Sequence, residues 1–139
     1  MEYKRFGKNI IARIDIGEEI LESIREIALK ENIKLAMVNA LGATNDFEIG
    51  VYDIAEKKYY KNVYKGAYEI TSLHGSINTM NGEFYTHIHL NAGGRDGKVV
   101  GGHLYRAVVG ATCEMFIDII DGEVDRIKDE KIGINILKF

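Results

Sequence analysis

The sequence predicts an α+β domain, a mostly antiparallel β-sheet folded as a sandwich or open barrel with one main helix at about residues 18–31. Three observations predict it. Only one segment repeats apolar residues at helical spacing. Nearly everything else is short runs of strand-forming residues. Those runs are separated by Asn-Gly and Asp-Gly pairs, and no further helices intervene. One early helix followed by turn-linked strands is not a β-α-β alternation, so neighbouring strands are expected to pair antiparallel.

The helix rests on Ile20, Leu21, Ile24, Ile27 and Ala28, which share one face at 3.6-residue spacing. Glu18, Glu19 and Glu22 crowd its first turn, where the helix dipole favours anions, and Lys30 sits near its end. Asn32 tolerates the left-handed conformation that stops a helix. Strands are predicted at 9–14, 35–41, 45–53, 59–64, 66–74, 83–90, 99–104 and 108–120, with 127–137 closing the chain. Turns are expected at Asn81-Gly82, Asp96-Gly97 and Asp121-Gly122.

A chain of 139 residues builds one core, so a single domain over 1–139 is expected. No apolar run approaches the ~20 residues that cross a bilayer. The first residues lack the apolar stretch of a secretion signal. Cys113 has no second cysteine to pair with. These features point to the cytoplasm. The formal net charge is −3, with basic residues dispersed among acids. Bulk charge therefore gives this chain alone little hold on DNA phosphates, and DNA is expected to be at most a weak partner.

The chemistry of the sequence lies in its histidines. On the strand 83–90, Glu83, Tyr85, His87 and His89 share one face, and Phe84, Thr86, Ile88 and Leu90 the other. Imidazoles two residues apart on a strand are separated by roughly 7 Å of backbone, close enough for both to reach one ion at about 2.0–2.1 Å. His103 is the natural third ligand, and the turn before it decides whether it arrives. A two-residue Asp96-Gly97 turn sets His103 opposite Leu90, on the wrong face. A three-residue Arg95-Asp96-Gly97 loop with Gly97 left-handed pairs Gly94 with Lys98 and sets His103 opposite His89. The Arg-Asp-Gly sequence favours the second. Against this stands the plainer alternative that strand histidines are half-buried, hydrogen-bonded residues. His74 ends its own strand near the site. Glu83 shares the histidine face and Glu114 faces away from the apolar side of its strand. They are weak candidates for an acid or base, and Glu114 reads first as a solvated carboxylate. Cys113 falls on the apolar face. Scattered tyrosines, among them Tyr59, Tyr60, Tyr64 and Tyr68, read as packing residues. No nucleophile elbow, dinucleotide fingerprint or phosphate loop occurs.

With these segments in view, the chain resembles the plants-and-prokaryotes-conserved (PPC) domain family. The resemblance is carried by Gly66-Ala67-Tyr68-Glu69-Ile70-Thr71-Ser72-Leu73-His74-Gly75, by His87-Ile88-His89-Leu90, by the stretch from Arg95 to Leu104 and by Thr112-Cys113-Glu114-Met115. It implies an α+β fold assembling as a homotrimer. Plant members carry a separate AT-hook for the DNA minor groove, and no such Arg-Gly-Arg-Pro segment occurs here. The wider fold group includes acetolactate decarboxylase, which holds zinc with three histidines, and the corresponding positions are His87, His89 and His103. Two readings follow. One is a homotrimeric zinc-binding, or other divalent-metal-binding, module with a regulatory or DNA-associated role. The other is a small metal-dependent enzyme, lyase-like or hydrolase-like, using the same site. On either reading, binding should weaken as pH falls through the ordinary histidine pKa near ~6.5.

Overall fold

In the computed structural model, which describes residues 1–139, the chain runs β1 (Glu2–Phe6), β2 (Asn9–Asp15), α1 (Ile20–Lys30), β3 (Ala36–Asp53), β4 (Lys58–Met80), β5 (Glu83–Gly93), β6 (Val99–Ile119), β7 (Arg126–Lys128) and β8 (Asn135–Leu137). The first six strands form one antiparallel sheet in the order β1-β2-β6-β3-β4-β5. β5 also pairs with the first part of β6, so β3, β4, β5 and β6 close into a ring. β2 extends the sheet along the far half of β6, and β1 edges it.

The expected α+β class is the observed one, with differences that have physical causes. The segments 35–41 and 45–53 are one strand, as are 59–64 with 66–74 and 99–104 with 108–120. The apparent breaks are β-bulges. Register shifts fall between Ala40 and Gly42, between Thr44 and Asp46 (opposite Tyr68 and Lys65), and between Leu104 and Arg106. Pairing on both sides carries the ladder across each one while the strand bends. The closing segment 127–137 splits into the small β7–β8 hairpin, and β1 was not anticipated. Only Tyr3 of its five residues is partly buried, so its sequence carries no apolar alternation.

The helix covers its apolar pattern and is shorter at both ends than the expected 18–31. Glu19 is its N-cap, with Oε2 accepting from the Glu22 amide, and Asn32 ends it in the left-handed region at φ 52°. The Glu19 carboxylate also accepts from the Ala107 amide, which ties the helix start to a bulged part of β6. Ile20, Ile24, Ile27 and Ala28 are buried against the inner face of the sheet, joining Ile10, Ile14, Val38, Phe47, Leu73, Ile77, Ile88, Leu90, Met115 and Ile117 in one core.

Cys113 lies in that core, and burial pushes its thiol up to about 12. Tyr64 and Tyr68 pack on Phe47 with ring centroids 5.1 Å away in each case, as structural residues.

β4 and β5 approach closely beside the histidines because Gly75 has no side chain. A Cβ there would lie 2.0 Å from the His87 carbonyl oxygen and 2.8 Å from Ile88 Cα. Gly75→Ala is therefore expected to push the two strands apart and to lower stability by about 1–3 kcal/mol. Urea denaturation of the variant against the wild type measures this, and an unchanged midpoint would contradict the close approach.

Candidate metal centre

The β5–β6 hairpin sets the site. Gly94 donates its amide to the Lys98 carbonyl at 2.9 Å, and Gly97 donates to Gly94 at 2.9 Å with φ 76°. Asp96 Oδ1 accepts from the Lys98 amide at 3.1 Å. This three-residue loop pairs Gly93 with Val99 and, further along, His89 with His103. His103 is also opposite Gly50 of β3, so it sits where two ladders of the ring meet.

A second device keeps His103 on the outer face. Between Leu104 and Arg106 the register against β3 shifts, leaving Tyr105 as an extra residue. Before this bulge Leu104 points into the core, and after it Ala107 and Val109 do. A regular strand would put His103 on the same side as Val109 and Met115, inside the core.

His87, His89 and His103 thus converge, each offering one nitrogen, with the three atoms within 4.8 Å of one another. His87 Nε2 and His89 Nε2 are 3.2 Å apart. Two nitrogens bound to one tetrahedral ion at ~2.0–2.1 Å stand roughly 3.3–3.4 Å apart, so the pair already has the spacing of shared ligands. His103 Nδ1 is buried without a hydrogen-bond partner, an arrangement that costs about 1–3 kcal/mol unless something satisfies it. A trio of imidazoles with one orphaned nitrogen fits a divalent cation.

Electrostatics favour the form that coordinates. Burial, then the neighbouring His87 and His89, hold the His103 pKa down at about 4. Burial and Arg126 depress His87, and burial and His74 depress His89. All three are held neutral at pH 7, and a metal need displace no proton from them.

The other residues singled out from sequence are placed differently. His74 stands directly across β4–β5 from His89, exposed and outside the converging trio. Glu83 is exposed four residues from His87, roughly 13 Å along the strand at ~3.3 Å per residue. Glu114 is at the far half of β6, exposed beside Arg13 of β2 and Leu41 of β3. Neither carboxylate stands at the histidines.

Sequence reasoning missed what does stand there. Tyr59 and Tyr105 flank His103, with centroids at 5.5 and 5.0 Å. The C-terminal hairpin covers the outer face of β4 and β5. Arg126 is 6% exposed, and its Nη2 lies 3.5 Å from His87 Nδ1. The period-2 pattern of β6 placed Tyr105 on the histidine side, but nothing local in the sequence linked Arg126 to it.

A family profile for the Plants and Prokaryotes Conserved (PCC) domain matches residues 1–121. The chain belongs to the PCC domain family. Among solved structures, this PCC domain is similar to a metal-containing protein from Archaeoglobus fulgidus (34% identity, TM-score 0.90, covering 99% of this chain and 97% of that one). A protein from Bacteroides thetaiotaomicron, provisionally named as DNA-binding, matches with TM-score 0.96 at 25% identity, over 99% of this chain and 96% of that one. A plant- and prokaryote-conserved protein from Pyrococcus horikoshii matches with TM-score 0.82 at 28% identity, over 96% and 92%. Among curated proteins none matches the sequence. No helix is long and apolar enough to cross a membrane.

The depressed histidines make a prediction about the metal-free PCC domain. Between the ordinary pKa near 6.5 and about 4, the unfolded chain binds protons that folded His103 refuses. The His103 contribution to stability is therefore full above pH ~6.5, falls as pH drops toward ~4, and levels off below. His103→Leu should flatten the lower part of that decline in chelator-treated protein, as read by denaturant midpoints across pH. A wild-type midpoint constant from pH 6.5 to 4.5 would contradict the neutral trio.

Proposed function

We propose that this PCC domain is a metal-binding module in which His87, His89 and His103 hold a divalent ion, with zinc the ion best suited to three neutral imidazoles. The observation that carries the reading is the convergence of the three imidazoles on one face, brought about by the hairpin loop and the bulge at Tyr105. The metal-containing neighbour from Archaeoglobus fulgidus supports it. Copper and nickel compete for such nitrogens in vitro, so the metal's identity is set by supply as well as by the site.

When bound, the ion supplies a Lewis-acid position with room beyond three protein ligands. The chain's own residues orient the imidazoles, keep them neutral and wall the position with Tyr59, Tyr105 and Arg126. On the enzyme reading the acid or base would come from these groups, because Glu83 and Glu114 stand elsewhere. The module reading asks less of the site. A DNA-associated role draws support from the names of two neighbours, from Bacteroides thetaiotaomicron and Ralstonia eutropha, and the net charge of −3 makes any such contact weak for one chain.

Assembly as a homotrimer is part of the proposal. The outer face of β2, β6 and β3 leaves Ile11, Met37, Leu41 and Phe116 exposed together, with Ile11 paired across the ladder to Phe116. Contiguous apolar surface of this kind is normally covered by a partner. Light scattering at micromolar concentration should give the mass of three chains, and Phe116→Glu should shift it toward one. A monodisperse single-chain mass for the wild type would remove assembly from the proposal.

The metal site itself is tested by stoichiometry. Protein expressed in zinc-replete medium without a chelating tag should carry about one ion per chain. His87→Ala, His89→Ala and His103→Ala should lose it, while His74→Ala retains most of it. Because the imidazoles are held neutral, retention should persist well below the ordinary histidine pKa of ~6.5 as pH is lowered. Equal metal in the wild type and His103→Ala, measured by elemental analysis, would defeat the site.

A further inference from the structure

Arg126 is the one arginine carried almost wholly out of water, at 6% exposed. Its Nε and Nη2 donate to Asn78 Oδ1 at 3.3 and 3.2 Å, its Nη1 donates to the Asn135 carbonyl at 3.0 Å, and its plane lies over Tyr85 at 5.0 Å. These contacts use three of the five N–H groups of a guanidinium. Every ion pair in the chain is made by other residues, so this buried charge has no carboxylate. An isolated buried charge carries a large desolvation penalty. A neutral side chain would tie β7 to Asn78 and Asn135 without that penalty.

The position of the charge is informative. Nη2 faces His87 Nδ1 at 3.5 Å, across one imidazole from the side of the ring that approaches His89. With Nε2 committed to an ion, His87 carries its proton on Nδ1, and a donor then faces a donor. A divalent ion would add further positive charge to a pocket that already holds an unpaired arginine. Lys61, over the Tyr105 ring at 3.6 Å, is a further cation on this side, and it is paired with Glu48 at 3.3 Å. The Tyr59 and Tyr105 rings stand against His103, with centroids at 5.5 and 5.0 Å, and each phenol brings an O–H donor. One side of the histidine trio is therefore lined with donors and positive charge, and the carboxylate beside it, Glu48, is taken by Lys61.

We infer that Arg126 is an anion-binding residue, and that the ligand of the three-histidine site is a small oxyanion bearing a carboxylate or a phosphate. This rests on the proposed metal site and adds to it the chemical class of what binds there. Arg126 lies on the C-terminal hairpin, beyond residues 1–121 covered by the family profile. The two N–H groups that Arg126 keeps free, one on each terminal nitrogen, suit either oxyanion.

The test uses the full chain loaded with cobalt(II), with variants compared at matched cobalt content and matched circular dichroism. Oxalate and inorganic phosphate are titrated separately, and binding is read from the visible absorption of the cobalt and by calorimetry. Wild type should bind at least one of the two, and the tighter one identifies the class. Arg126→Gln should weaken that binding by about tenfold or more, and Arg126→Lys, which keeps the charge and loses the fork, should fall between. Equal affinity in wild type and Arg126→Gln, or no anion binding by the wild type, overturns the inference and leaves the metal site standing. Failure of the wild type to take up cobalt overturns the three-histidine reading itself. If Arg126→Gln does not fold, the comparison of Arg126→Lys with wild type decides by the same criterion.

Discussion

The site depends on a register. Side chains on a strand alternate with period 2, so a slip of one residue between β5 and β6 would carry His103 into the core and turn Leu104 outward. Three features forbid the slip. The Arg95-Asp96-Gly97 loop closes the hairpin with Gly97 left-handed and Asp96 capping Lys98. Ile88, Leu90 and Ala92 must all stay in the core on β5. The second ladder, from β6 to β3, places His103 against Gly50, so a slip would have to break both edges of the ring together. Gly102 makes that junction tight enough to exclude any side chain, because a Cβ there would lie 2.6 Å from the Gly50 carbonyl oxygen.

Closure of the ring has a second consequence. Strands of 18 to 23 residues are far longer than a flat sheet tolerates, and the bulges let them bend around one core. The bulge at Tyr105 does more than bend β6. It exchanges the inward and outward positions between the first and second parts of the strand. The same strand thereby lines the core with Leu104, Ala107 and Val109 while presenting His103 outward and Tyr105 beside it. The half-buried outer pocket so formed is dry enough to keep imidazoles neutral, and the C-terminal hairpin closes over it through Arg126 and the Tyr52 hydroxyl, which donates to the Ile132 carbonyl at 2.8 Å.

Much of this was legible in the sequence because it is set locally. The helix followed from 3.6-residue spacing, and the pairing of His89 with His103 followed from an Arg-Asp-Gly loop whose length fixes the register. Segment ends were less legible. A glycine such as Gly42 or Gly66 inside an apolar run marks a turn or a bulge equally well, and only the strands alongside decide which. Gly42, at φ 150° with the Thr112 carbonyl oxygen 2.2 Å from where a Cβ would be, is a close approach that no local pattern reveals.

By itself, then, the sequence determined the fold class, the helix, the histidine face of β5 and the partner of His89, since each follows from periodicity or turn chemistry within a few residues. The tertiary structure decided which polar groups share the site. Glu83 and Glu114 satisfied the face pattern but stand away from the histidines, whereas Arg126, 39 residues from His87, comes within 3.5 Å of it. The reason is that alternation specifies a side and not a neighbour. Neighbours across a closed ring are set by bulges, shear and the segment that folds over the outer face, all of which are long-range.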